Sequence, residues 1–361
     1  MRYKLFFIFA LLSFFTSLQA KEYKWRVELD YFFNNNENRE SPLVPANTMR
    51  QIGTWLNTLG GISWDESHTL FGGVNLLQIP GLQPAINKVD IALFYQYETS
   101  RVFFRAGAFP RREVLANYSE FFFSDSIQNF VPQMQGFFFQ LGNDRNFFNA
   151  WLDWTSYRVP DNPKRESFMF GFSGKVSKNL FFADFQSYVN HISGRDPNLP
   201  EHIGTSEQMQ ILASIGVEYE ASNSFKGLFS AGVLAGMERL RRDNLTHHPV
   251  GFVARANAEF WGIGTQNTLY VGNPRMKFFE REGNLLYWQT PFLRGSSYVQ
   301  SRWYIRLLET RFARAKFSYT FRFSEGKMMH QQILTVSANI GCSRLIDQSA
   351  KRAFPWTRFF R

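Results

Sequence analysis

The amino-acid sequence predicts an all-β chain, a transmembrane antiparallel up-and-down β-barrel of about sixteen strands, within a range of roughly fourteen to eighteen. Three observations predict it. The first residues form an export leader, apolar and polar side chains alternate with a period of two over most of the remaining length, and the links between alternating stretches are short and long in turn.

In the leader, Arg2 and Lys4 precede an apolar run from Leu5 to Leu12 that continues through Phe15 towards Leu18-Gln19-Ala20. That run is too short to cross a bilayer as a helix, and a small residue at position 20 suits the place before a cleavage point, so residues 1–20 read as a signal peptide. No cysteine stands at the junction, which argues against a lipid anchor there. Beyond it no stretch of eighteen apolar residues occurs and the mean hydropathy is -0.28, which excludes a bundle of membrane helices. Yet the 361 residues include 41 Phe and 14 Tyr, hard to hide in one soluble core and natural on a barrel that faces lipid.

The alternation is plain in the first mature segment. Trp25, Val27, Leu29, Tyr31 and Phe33 share one face, and Arg26, Glu28 and Asp30 share the other. Val89, Ile91, Leu93, Tyr95 and Tyr97 oppose Lys88, Asp90 and Gln96, with Phe94 out of place on the polar side. Ile211 to Tyr219 and Phe252 to Phe260 repeat the pattern. It is clearest where Ala313, Ala315, Phe317, Tyr319, Phe321 and Phe323 oppose Arg314, Lys316, Ser318, Thr320 and Arg322. Tight links carry turn residues, as in Trp64-Asp65-Glu66-Ser67, Val176-Ser177-Lys178-Asn179 and Trp261-Gly262-Ile263-Gly264. Long polar links fall between them, near 34–48, 110–133, 192–208, 239–249 and 273–297. A soluble sandwich has no reason to alternate its loop lengths, whereas a barrel with short periplasmic turns and long outer loops does. Residues 21–341 therefore read as one barrel and 342–361 as a basic tail. Trp25, Trp64 and Trp261 suit an aromatic girdle on the periplasmic side, and Tyr31, Phe33, Trp154 and Tyr157 one on the outer side.

The net charge is +10, with 40 basic and 30 acidic residues, but the tail after Cys342 carries much of the excess and no nucleic-acid motif accompanies it, so no nucleic-acid partner is expected. Inside a barrel, inward charge sets the field that a solute meets. An Arg or Lys turned to lipid at mid-membrane costs about 2–4 kcal/mol, so the alternation sends Arg302, Arg306, Arg314, Lys316 and Arg322 inward, joined by Arg105 and Arg255. These seven are the pore-lining candidates. Their rival role is to pair with Glu28, Asp30, Asp90 and Glu259 and fill a closed interior.

Catalytic and metal motifs are sparse. No GxSxG, HExxH, Walker or dinucleotide fingerprint stands where a strand or helix would support it. Ser301 and His330 are the nearest pair for a lipid-facing hydrolase, and His247-His248 with Asp243 the nearest metal group. The expectation is a chain that is not an enzyme, with no cofactor and no metal.

The whole pattern resembles the general outer-membrane porins of Gram-negative bacteria, and Leu93-Phe94-Tyr95-Gln96-Tyr97 with Phe122-Phe123-Ser124-Asp125-Ser126 is similar to uncharacterised Bacteroidetes-type barrels. The porin resemblance implies an inward-folded loop after the fifth strand. Here that place is Pro110 to Pro132, with Glu120 and Asp125 as its acids. Phe121, Phe122 and Phe123 depart from the family's glycine-rich acidic loop and would plug the lumen or cap the rim. Porins also end on a strand with a terminal aromatic read by the barrel assembly machinery, whereas this chain continues to Arg358-Phe359-Phe360-Arg361. The resemblance implies an outer-membrane channel, monomer or homo-oligomer, for passive diffusion of small polar solutes with mild anion preference. Its partners would be outer-membrane lipid, those solutes and the assembly machinery. The alternatives are a closed barrel with a surface-interaction, adhesion or assembly role through its long loops, and a barrel hydrolase.

Overall fold

No water reaches the hydrocarbon of a bilayer, so a chain that crosses it as strands must pair every backbone N–H and C=O and leave no edge. The computed structural model meets that demand with a closed sheet; it describes residues 22–37, 43, 49–157, 165–194, 204–222 and 225–342. The expected signal peptide and the tail from 343 onward lie outside the described residues. In chain order the strands are β1 (Glu22–Glu37), β2 (Met49–Trp64), β3 (His68–Gln78), β4 (Lys88–Glu98), β5 (Val102–Pro110), β6 (Gln133–Gly142), β7 (Phe147–Ser156), β8 (Ser167–Lys178) and β9 (Phe181–Ile192). They continue as β10 (Ser206–Ser222), β11 (Phe225–Leu240), β12 (Leu245–His247), β13 (Val250–Phe260), β14 (Ile263–Gly272), β15 (Ser297–Glu309), β16 (Ala313–Ser324) and β17 (Lys327–Gly341).

Neighbouring strands pair antiparallel, and β1 pairs with β17 from Arg26 opposite Gly341 to Glu37 opposite His330, which closes the ring. β12 is a three-residue strand against the end of β11, while β11 itself pairs with β13, so sixteen strands form the barrel. Trp261 (φ 49) and Gly262 (φ 81) make a two-residue turn in left-handed backbone, the kind whose twist matches its strands. The other short turns on that side mark the periplasmic rim, and the long links gather at the outer one.

Parity sorts the side chains. Ile91, Ile215, Phe229, Trp303 and Ile340 are exposed on the outer surface, where lipid replaces water. Gln96, Asn149, Ser173, Gln210 and Thr320 point into the barrel and are at most 2% exposed. Phe94, the apparent exception, faces inward by the same rule; it is 1% exposed and stacks on Phe71 with ring centroids 5.0 Å apart.

Two outer-side segments fold into the lumen. The first, 111–132, opens with a short 3-10 turn (Arg111–Glu113) and contains helix α1 (Asp125–Phe130). The second, 273–296, contains helix α2 (Phe279–Leu286) and a 3-10 turn (Pro291–Arg294). They bind each other: Ser124 N donates to Trp288 O (2.8 Å), and Thr290 N donates to Glu120 O (3.0 Å). Phe121, Phe122 and Phe123 plug the lumen and do not cap the rim, packed among Trp151, Tyr188, Met169, Leu234 and Tyr270 on the inner wall. The three rings pack on the inner wall from β7 to β14, while the charges of Arg26, Glu28, Arg302 and Arg322 line β1, β15 and β16.

The first segment is pinned as it leaves the wall. Glu113 accepts from Arg26 (2.5 Å) and Arg105 (2.7 Å), all three buried, while Arg112 bridges Glu28 and Asp30. Burial works to raise the Glu113 carboxyl, but the two guanidinium groups outweigh it and hold the group well below the usual carboxylate range. Glu113→Gln removes the carboxylate that Arg26 and Arg105 share while both stay buried, so a loss of about 3–5 kcal/mol is expected. It is read as a lowered temperature at which the folded, fast-migrating band disappears on detergent gels; an unchanged transition would deny the pin its structural role.

Candidate functional site

The charged side of the lumen was assembled by strand parity and by α1. Inward positions of β15 and β16 carry Arg302, Arg306, Arg314, Lys316 and Arg322, while α1 presents Asp125 towards them. Arg302 donates to Asp125 (2.9 Å) and Thr320 (3.1 Å), and Arg322 to Gln300 (2.8 Å) and Gln331. Glu120 is buried beside them and accepts twice from Gln300 Nε2, at 2.9 and 2.8 Å. Burial raises the Glu120 carboxyl; it works the same way on Asp125, but there Arg302 and Arg322 prevail and hold it low.

Thus Arg302, Arg322, Glu120 and Asp125 meet in one network. The other candidates lie apart. Arg105 is engaged with Glu113, and Arg255 on β13 with Asp184 (3.3 Å) and Ser230 (3.0 Å). Arg306 pairs with Glu259 and Glu309 near the periplasmic rim, and Arg314 is half-buried one inward position away from Lys316. The pairings foreseen with Glu28 and Asp30 form with Arg112 instead, and Asp90 pairs with Lys88 (3.0 Å). Between α1 and the wall remains a cavity of about 160 Å³, bordered by Arg26, Asp30, Arg112, Asp125, Arg302 and Lys316.

A second polar group sits on the outside of the barrel. His191 is the penultimate residue of β9 and Glu207 the second of β10, directly opposite each other on outward positions at the outer rim. His191 Nδ1 lies 3.1 Å from Glu207 Oε1. Arg241 fixes the same carboxylate with two bonds, Nε to Oε2 at 2.8 Å and Nη2 to Oε1 at 2.5 Å. Phe168 covers the imidazole, with ring centroids 4.9 Å apart and planes 25° from parallel, and Trp154 packs on Phe168. Arg239 is the cross-strand partner of Glu207, and its Nε is buried without a hydrogen bond. A carboxylate can only accept, so in the tautomer that suits this contact Nδ1 bears the hydrogen and Nε2 is the acceptor, for which no donor stands among the described residues.

Ser301 and His330 do not meet. Both face outward, but Phe321 stands between them, paired to each, which at the usual strand spacing separates them by about 10 Å. Ser301 instead donates to Asn267 Oδ1 (2.7 Å), and His330 contacts Tyr319. His247 contacts Pro274 O, and Asp243 pairs with Arg281. Among the described residues no three His, Cys, Asp or Glu side chains gather to hold a metal.

The sequence reasoning missed the rim cluster and the second inward segment. The signal for the first was present: His191 and Glu207 occupy lipid-facing parity at two ends of one long link, where a charge has a cost unless it is held. For the second, the mark was the run of apolar pairs in a long link, Phe278-Phe279, Leu285-Leu286 with Tyr287-Trp288, and Phe292-Leu293.

From residue 15 to residue 343 the sequence matches one protein family, described as lipid A 3'-O-deacylase-type. The chain belongs to that family. No curated protein sequence matches it. Solved structures similar to this lipid A 3'-O-deacylase-type barrel include a loop-deletion mutant of OmpT, an outer membrane protein of Vibrio cholerae. It is 9% identical, with a TM-score of 0.54, over 89% of this chain and all of that one. OpdL of Pseudomonas aeruginosa gives 9% and 0.54, over 89% of this chain and 99% of that one. The outer membrane protein OprD of the same species gives 8% and 0.52, over 90% and 96%. These likenesses establish the fold, a sixteen-stranded barrel of the Gram-negative outer-membrane kind. The expectation that the chain is not an enzyme is overturned, since its family bears an enzyme's name.

The opposed faces of β16 give a direct check. In a Cys342→Ala background reconstituted in lipid, Ser318→Cys, which borders the cavity, should react with a charged water-soluble thiol reagent, and Phe321→Cys should not. Equal labelling of the two would contradict the inward and outward assignment.

Proposed function

We propose that this barrel hydrolyses an acyl ester of an outer-leaflet lipid at the rim cluster of His191, Glu207 and Arg241. One observation carries the proposal: an outward histidine near the outer ends of the strands, with one ring nitrogen held by an arginine-fixed carboxylate and the other without a partner among the described residues. The family name, lipid A 3'-O-deacylase-type, supports a glycolipid as substrate. His191 Nε2 would take a proton from water as its oxygen bonds to the acyl carbonyl carbon. The bond between that acyl carbon and the ester oxygen then breaks, releasing the fatty acid, and the sugar alkoxide takes the proton from His191.

The test is fatty-acid release from purified lipopolysaccharide, with His191→Gln expected to lower the rate by about 10²–10⁴-fold while the barrel still folds. Absence of release by the wild type, or equal release by His191→Gln, removes the proposal.

A second reading, passive diffusion of small polar solutes with mild anion preference, is favoured by the cavity left between α1 and the basic wall. Planar-bilayer recordings should show small, stable steps, and Arg314→Glu with Lys316→Glu should move the reversal potential towards cations. Silence at every voltage ends this reading without touching the first.

A further inference from the structure

The cavity beside α1 has a charge imbalance that the neighbouring pairs do not share. Of the cations that border it, Arg26 is matched by Glu113, Arg112 by Glu28 and Asp30, and Arg302 by Asp125. The bordering acids are fully engaged in turn. Asp30 accepts from Arg112, Asn57 (2.9 Å) and Ser337 (2.6 Å), and Asp125 accepts from Arg302 and Gln331 (3.2 Å). Lys316 differs. Among the described residues no carboxylate pairs with its ammonium, which instead lies 4.1 Å from the centre of the Tyr304 ring. Arg306, directly across from it on β15, is already matched by Glu259 and Glu309, so of the cations at this place Lys316 alone stands without a carboxylate in contact among the described residues.

An ammonium group held inside a barrel without a counter-charge is costly, and an aromatic face answers only part of that cost. A small mobile anion answers the rest. The cavity, at about 160 Å³, has room for one such ion with a few waters, and Ser318 and Thr335 border it with hydroxyls that donate to oxygen.

We propose that the lumen contains a binding site for one small oxyanion, seated on Lys316 and facing Arg302. Phosphate and small carboxylates share the chemistry it recognises, a compact delocalised negative charge with several acceptor oxygens. The site requires neither hydrolysis at the rim nor conduction through the barrel, so it stands or falls apart from both readings of function.

Inorganic phosphate and acetate are titrated separately into the purified full-length protein, followed by calorimetry. Saturable binding of at least one is expected; Lys316→Gln should weaken it roughly 10–100-fold, the worth of a charge-assisted contact, whereas Lys316→Arg retains it. Binding of phosphate but not acetate, or the reverse, identifies the class of oxyanion. A second measurement uses the wild type alone. Acetylation of Lys316 by acetic anhydride, with acetate as the leaving group and mapped by mass spectrometry, should slow when bound phosphate is present. No binding of either ion, binding unchanged in Lys316→Gln, or, where phosphate binds, acetylation of Lys316 indifferent to it would overturn the proposal.

Discussion

The pairing of β1 with β17 is the constraint on which everything else rests. Twelve residue pairs, from Arg26 with Gly341 to Glu37 with His330, join the two ends of the sheet. Without them two strand edges would present unpaired N–H and C=O groups to hydrocarbon, each at a cost of several kcal/mol. Closure also fixes the circumference, and a ring of sixteen strands encloses more space than its own inward side chains fill. The interior must therefore be occupied by something else, and here it is chain: segment 111–132 and segment 273–296, bound to each other and to the wall.

How that space is filled separates the two candidate sites. Phe121, Phe122 and Phe123 consume volume beside the inner wall of β7–β14, and the cavity that remains lies on the other side, beside Arg302, Asp125 and Lys316. The outer surface is left free of this competition. A lipid-facing cluster such as His191, Glu207 and Arg241 lies at the rim, outside the ring, so a membrane molecule reaches it sideways and never enters the lumen.

The fold was legible because lipid and lumen select opposite residue types at alternate positions, and sixteen strands give that selection many chances to show. β16 states it in one line, with arginines and lysine on one parity and aromatics on the other. The inward segment after β5 was legible by position, and its phenylalanines by their number, but the Arg26–Glu113–Arg105 pin was not. Glu113 lies 87 residues from Arg26, and no local period connects residues so far apart. The rim cluster was hidden for a different reason. A histidine and a glutamate at strand ends look like ordinary polar loop residues until cross-strand register puts them side by side, and register is a property of the whole ring.

The paired interior has a consequence for the conditions in which this protein works. An outer-membrane barrel meets the surrounding medium without a buffer, and ionic strength there rises and falls. Exposed charges lose much of their mutual attraction as salt increases, whereas pairs withdrawn from solvent are screened far less. Glu113 with its two arginines, Asp153 with Arg111 and Glu282 with Arg165 are all of the withdrawn kind. The packing of the inward segments is therefore set independently of salinity, and the barrel keeps the same interior in fresh and in briny surroundings.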